Sequence, residues 1–404
     1  MSMRLGSANA YDNSLSKLTS RQTELAELQE KLTAGKKVLR PSDDPTGAAQ
    51  AERAMTRISR IETEQRALNV QKNSMAMAES TLGSATETLQ NIRDLVISAG
   101  NAGYTSVNRT SIAQQISSLR DQLFSYANKA DSNGVPLFGG LGSASAPFTD
   151  AATGVTFNGI AGQNASSTVA IPSAMDGQAV WMNVPSGNGV FDVSLGSTNT
   201  GTAWSNVGQV IDPSQASAAL APPNALPYSI QFSVAAGVTS YTVVDGLSTP
   251  IGPAQPYTSG QNIQFGGMAV RVEGIPANGD TLTVAPSTIT NIFKVIDKAI
   301  AGINNASNSN TLSQAFTTAL AEIDTGMNRL TSARGLAGDM LNRADNIDSN
   351  QETKSIQLKA DRSRAEDIDM IKGIADFQNQ QTGYSAALQT YAQVQRLSLF
   401  NYLG

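Results

Sequence analysis

The sequence predicts a mainly α-helical protein with an inserted β domain. Both chain ends build a long helical coiled-coil bundle, and the centre forms a β-rich domain between them. Two observations carry this reading: apolar residues recur in sevens along both flanks, and composition changes abruptly between them. The stretch from Leu141 to Ala285 holds seven acidic residues against one basic, 11 of the 15 prolines and 18 of the 34 glycines. Proline at that density excludes long helices. Short β-branched or aromatic runs such as Ser229 to Val234 and Thr239 to Val244 read as strands. A length of 404 residues provides for two or three domains at roughly 150 residues each. The expected division is a terminal helical domain (1–44 with 370–404), a long bundle (45–140 with 286–369) and a β-rich insertion (141–285).

In chain order, Tyr11, Leu18, Leu25, Leu32 and Leu39 step by sevens and predict a first helix reaching Leu39. Arg40-Pro41-Ser42-Asp43-Asp44-Pro45-Thr46-Gly47 then breaks it. Pro41 forces Arg40 out of helical geometry, while Asp44-Pro45 supplies an N-cap and a first-turn proline for a restart. Adjacent carboxylates could suggest acid–base chemistry or a metal, but capping accounts for both Asp43 and Asp44. Next, Ile61, Leu68, Met75, Leu82, Leu89 and Val96 recur at intervals of seven, with Ala78, Ala85, Ile92 and Ala99 three places after four of them. Such a helix is about 58 Å long and needs partners along its length. Ile112 to Ala130 and Phe316 to Ala344 carry alternating steps of four and three and supply them. Asn133-Gly134 starts a turn, and Leu137-Phe138-Gly139-Gly140 marks the neck of the insertion. Near the C-terminus Met370, Phe377, Tyr384 and Tyr391 again step by sevens. Gln22, Gln29, Gln381 and Gln395 interrupt the two terminal seams, so a lone pair of these helices buries little apolar surface. The ends are expected to be disordered in the monomer and to order on assembly; an ordinary intramolecular coiled coil fits the same periodicity.

Composition narrows function by exclusion. The chain has no His and no Cys, which removes Ser-His-Asp triads, cysteine nucleophiles, zinc sites with His or Cys ligands, and disulfides. A net charge of −5 lacks the basic excess that neutralises phosphates, so nucleic acid is not an expected partner. No phosphate-cradling glycine motif occurs. No secretory signal and no membrane span are expected. The reading is a non-enzyme with no catalytic residues, no metal and no cofactor. The run Asp361-Arg362-Ser363-Arg364-Ala365-Glu366-Asp367 is either a solvated helix face or a source of intersubunit ion pairs. Trp181 and Trp204 are expected in the core.

Several segments together resemble the flagellin-related axial proteins of bacterial flagella. Leu28-Gln29-Glu30-Lys31-Leu32-Thr33-Ala34-Gly35-Lys36-Lys37, leading to Pro41-Ser42-Asp43-Asp44-Pro45, is similar to that family's "LQ-x-x-L-[ST]-x-G-K" followed by "PSDDP". Asn133 to Gly140 is similar to "NG-x-x-LF-x-G", and Gly274 to Thr281 resembles a segment closing the inserted domain. The ending Ser398-Leu399-Phe400-Asn401-Tyr402-Leu403 differs from the Leu-Leu-Arg type tail of flagellin itself. Met1-Ser2 precedes the family-like start at Met3, so the start codon is either Met1 or Met3. The resemblance covers about residues 1 to 140 and 265 to 404. It implies a structural adaptor at the junction of hook and filament, exported by the flagellar type III apparatus with its export chaperone. Subunits would self-assemble into a head-to-tail ring joining hook-associated protein 1 to flagellin. The residues it places at assembly contacts are Leu18, Leu25, Leu32, Pro41, Asp43, Asp44, Pro45, Phe377, Tyr384, Tyr391, Leu399, Phe400, Tyr402 and Leu403. A flagellin, or a binding module displayed by the central domain, are the alternatives.

Overall fold

The computed structural model describes residues 7–101, 103–142, 146–305 and 308–400. The chain divides into two compact units, Met1–Arg66 with Ile347–Gly404, and Ala67–Asn346. Both flanks are helical and the centre is β-rich, as the composition break requires.

The first unit contains α1 (Ser7–Ala34) and the beginning of α2 (Pro45–Ala99). It also holds the last part of α6 (Ser309–Glu366) and all of α7 (Met370–Phe400), and α1 packs along α7. The first helix stops at Ala34 rather than continuing to Leu39. Gly35 takes φ +71, its N–H reaches Leu32 O (3.3 Å), and the Lys36 N–H reaches Lys31 O (3.1 Å). This is a Schellman stop, in which a left-handed glycine satisfies carbonyls that the helix leaves open. The seven-residue period was real but weaker than the glycine.

The second unit is built on the rest of α2 and α6, with α3 (Ser106–Ala127) and α5 (Ile292–Asn305). Leu68, Met75, Leu82, Leu89 and Val96 of α2 are all buried, and so are Ile323, Leu330, Ala337 and Ala344 of α6. Ion pairs run along the flanks of this seam. Arg93 Nε lies 2.7 Å from Asp324 and Arg334 Nε 2.6 Å from Glu79, while Lys72 pairs with Asp345.

At the neck, Gly134 (φ +80) turns the chain and the Leu137 N–H donates to Lys129 O at 2.9 Å. Leu137 and Phe138 then bury themselves beside Trp181, whose ring stands edge-on to Phe138 at 5.4 Å. Trp181 is fully enclosed and Trp204 half-buried. The β region starts with the hairpin β1 (Phe148–Ala151) and β2 (Gly154–Phe157), followed by β3 (Val184–Pro185), β4 (Phe191–Leu195), β5 (Trp204–Ser205) and β6 (Gln209–Val210). After the short helix α4 (Pro213–Ala219) come β7 (Tyr228–Ala235), β8 (Val238–Val244), β9 (Gln255–Pro256), β10 (Gln261–Phe265) and β11 (Met268–Glu273). β12 (Thr281–Pro286) and β13 (Ile289–Thr290) close it. One antiparallel sheet has the order β4-β12-β7-β8-β9, and a second joins β10, β11, β5 and β6. Phe191, Val193, Ile230, Phe232, Leu282 and Val284 of the first sheet share one core with Ile263, Met268, Val270 and Val272 of the second. Alternation along the strands places these residues inward.

Buried polar side chains of α6 bind this domain. Gln314 accepts the Ser205 N–H (2.8 Å) and donates to Val193 O (3.1 Å), Asn310 donates to Gly201 O (3.0 Å), and Glu322 accepts the Gly187 N–H (3.2 Å). No helix among the described residues is long and apolar enough to cross a membrane.

Candidate assembly site

The break between α1 and α2 is built by two neighbouring carboxylates with different tasks. Asp43 folds back to accept the N–H groups of Leu39 and Arg40, both at 3.0 Å. Asp44 faces forward as the N-cap of α2. Its Oδ1 accepts the Thr46 hydroxyl (2.7 Å), the Thr46 N–H (3.1 Å) and the Gly47 N–H (3.0 Å), with Pro45 in the first helical position. The Arg40 and Leu39 N–H groups hold the Asp43 carboxyl below its ordinary value. The Gly47 N–H, then the Thr46 hydroxyl, do the same for Asp44. Such bonds favour the charged carboxylate. Gly47 is buried because α6 passes close: a Cβ there would lie 2.5 Å from Asp44 Oδ2 and 3.1 Å from Ala365 O. Among the described residues no cluster of acidic side chains could hold a metal ion.

The remaining assembly candidates lie on the α1–α7 pair. Leu18 is buried, while Leu25 and Leu32 on α1, and Phe377, Tyr384 and Tyr391 on α7, are half-buried. The pair leaves apolar side chains in solvent: Leu15, Ile371, Ile374 and Leu388 are exposed, Ile371 at 85%. Pro41 and Pro45 are exposed at the break. Leu399 and Phe400 close α7 with side chains outside the described set, and Tyr402 and Leu403 lie outside the described residues. The structure thus brings Leu18, Leu25 and Leu32 together with Phe377, Tyr384 and Tyr391, and places Pro41, Asp43, Asp44 and Pro45 at the base of the same unit.

The charged run 361–367 is largely spent within that unit. Arg364 pairs with Asp361, Arg362 with Glu366 (2.9 Å), and Lys36 reaches across to Glu366 at 3.3 Å.

One residue outside the sequence reading organises the second unit. Arg120 of α3 is buried, with Nε 2.9 Å from Asp297 of α5, a further bond to Asp150 of β1, and its guanidinium carbon 5.8 Å from the centre of the Phe293 ring. The Asp150 hydrogen bond outweighs desolvation and raises its pKa. Its partners are 30 and 177 residues away, so no local pattern announces them.

The helical pattern is shared with known proteins. A family model of the bacterial flagellin N-terminal helical region matches residues 7–143, and one of the C-terminal helical region matches residues 320–403, together more than half of the chain. The chain belongs to the flagellin-related proteins of the bacterial flagellum. Among these flagellin-related proteins, it is 34% identical over 154 residues to flagellar hook-associated protein 3 of Salmonella typhimurium, covering 38% of this chain and 48% of that protein. It is 31% identical over 143 residues to a flagellin of Bacillus subtilis, covering 34% and 46%. The chain spans about half the length of these curated relatives. The crystal structure of the flagellar junction protein FlgL from Legionella pneumophila superposes with a TM-score of 0.67 at 29% identity, covering 74% of this chain and 99% of that one.

Proposed function

We propose that this flagellin-related chain is a structural adaptor without catalytic chemistry, joining a ring of hook-associated protein 1 to the flagellin filament. Subunits form a head-to-tail ring through their terminal helices, and export runs through the flagellar type III apparatus with its chaperone. In this reading 1–44 with 370–404 is the assembly layer, 45–140 with 286–369 the bundle behind it, and 141–285 the outward domain. The single observation that carries it is the likeness to the Legionella junction protein, which extends over 99% of that chain and so includes more than the terminal helices shared with flagellin. The relatives are structural flagellar proteins by name, and the full burial of Trp181 leaves no aromatic platform there for a sugar.

Antibody labelling of intact flagella tests it. One narrow band at the hook end is the expected result. Label along the whole filament would make the chain a flagellin, and absence of label from the flagellum would overturn both readings.

A further inference from the structure

The α1–α7 seam does not contain the information that fixes its own register. Leu18, Leu25 and Leu32 repeat every seven residues, as do Phe377, Tyr384 and Tyr391. Sliding one helix past the other by one heptad therefore presents nearly the same faces. Most of these side chains are only half-buried, so packing penalises such a slip weakly.

A second feature lies at the base of the pair. Just past α1, Lys36 forms an antiparallel bridge with Asp367, in the connection between α6 and α7. The Lys37 N–H donates to Glu366 O at 2.7 Å, and the Ile368 N–H donates to Gly35 O at 3.1 Å. Lys37 Nζ adds a bond to Arg364 O at 2.8 Å, and Lys36 pairs with Glu366. The register of this clasp continues up the helices. A Cβ on Gly373 would lie 2.8 Å from Leu32 Cδ2, and one on Gly383 would lie 2.8 Å from Arg21 Nη1. Going back along α1 from Lys36 to Leu32 and Arg21 thus corresponds to going forward along α7 from Asp367 to Gly373 and Gly383, an antiparallel register.

We propose that this clasp, residues 35–37 against 366–368, sets the register of α1 on α7 and couples the ordering of the two ends. Pairing two ends that are distant in sequence is costly, because the closed loop is long. With the clasp made, only a few residues separate the fixed point from the first helical contact, and the pair becomes a hairpin that zips from its base. Gly35 serves twice: its left-handed φ stops α1, and its carbonyl then receives Ile368. The charged run 361–367 acquires a role inside the chain, since Arg364 and Glu366 supply carbonyl and carboxylate to the clasp.

The absence of cysteine makes a direct test available on the full-length chain. Leu32→Cys with Gly373→Cys, placed close because a Cβ on Gly373 meets the Leu32 side chain, reports the observed register, and Leu32→Cys with Gln380→Cys reports a one-heptad slip. Under mild oxidation the first pair is expected to form its intramolecular disulfide about tenfold faster than the second. Ile368→Pro and Lys37→Pro each delete one N–H of the clasp, and either should bring the two rates within about twofold. Ile368→Ala and Lys37→Ala keep the N–H groups and should keep the preference, which separates the clasp from side-chain packing. An undiminished preference in both proline variants would overturn the proposal, as would no intramolecular disulfide from the in-register pair in the otherwise native chain. The measurement concerns the isolated chain, so its outcome is independent of whether the protein sits at the hook–filament junction.

Discussion

Asp44 shows how one carboxylate can fix where a helix restarts. Its three hydrogen bonds all favour the ionised form, so its folded pKa lies below the unfolded value. The resulting stabilisation is fully present above the ordinary carboxylate range and is lost as pH falls through the folded pKa. Asn at the same position keeps a capping oxygen but cannot titrate. Asp44→Asn is therefore expected to melt below the native chain at about pH 7, with the gap closing as pH falls below about 4, in thermal denaturation followed by circular dichroism. Parallel melting curves across that range would mean that the charge of Asp44 contributes nothing to the break. Asp280 solves a related problem in the β domain: its buried carboxylate accepts the N–H groups of Thr200, Gly201 and Ala277, each at 2.8 to 2.9 Å. Together with Gly274 and Gly279, both at positive φ, it explains why Gly274 to Thr281 has the composition of a fixed turn.

At the scale of elements, the seven-residue spacing of α6 runs on from Ile323 through Leu330, Ala337, Ala344, Gln351 and Leu358 to Ala365, all buried but the half-buried Leu358. Gln351 is the irregular member. It is 4% exposed, and neither atom of its amide has a hydrogen-bond partner among the described residues. A buried amide without partners costs roughly 1–3 kcal/mol. Gln351→Leu, close in volume, is expected to raise the stability of the first unit by about 1 kcal/mol. Slower amide exchange in residues 51–61 and 347–365 would show this, and faster exchange would mean that the amide is bonded after all. The long seam of α2 was legible because every seventh residue from Leu68 to Val96 is apolar and one period dominates. The end of α1 was not, because Leu39 continued the period past Gly35 and only the backbone shows which signal prevails. Strand order was equally hidden: β12 lies between β4 and β7 through pairs such as Val284 with Val193 and Leu282 with Ile230, and alternation alone names faces, not neighbours. The Asp44-Pro45 restart could be read from the sequence, since Asp44 caps α2 within three residues. Asp43 instead accepts the N–H groups of Leu39 and Arg40 behind it, which capping alone did not foresee. Arg120 and the clasp could not be read, because they join segments distant in sequence.

For the whole molecule, the two compact units differ in how much of their seams they bury. Leu82, Leu89, Ile92 and Val96 of α2 are completely enclosed. On the α1–α7 pair, Leu18 sits at 9% exposure while Leu15, Ile374 and Leu388 remain above 40%. A monomer therefore recovers little free energy from ordering its ends, whereas neighbouring subunits in a ring would cover the exposed leucines and isoleucines. In the proposed ring the clasped pair completes its ordering on assembly, as segments that fold on binding do. This argument separates stability from incorporation. Deleting Tyr391 to Gly404 removes the distal part of α7 but leaves the clasp at 366–368 and every buried position of the second unit. The truncated chain should melt within about 2 °C of the intact one yet fail to incorporate into flagella when the two are expressed separately in cells lacking the native protein. Immunoblots of purified flagella score incorporation, and calorimetry scores the melt. Normal incorporation of the truncated chain would show that the distal turns of α7 make no assembly contact, and a large drop in melting temperature would show that they already belong to the folded core of the monomer.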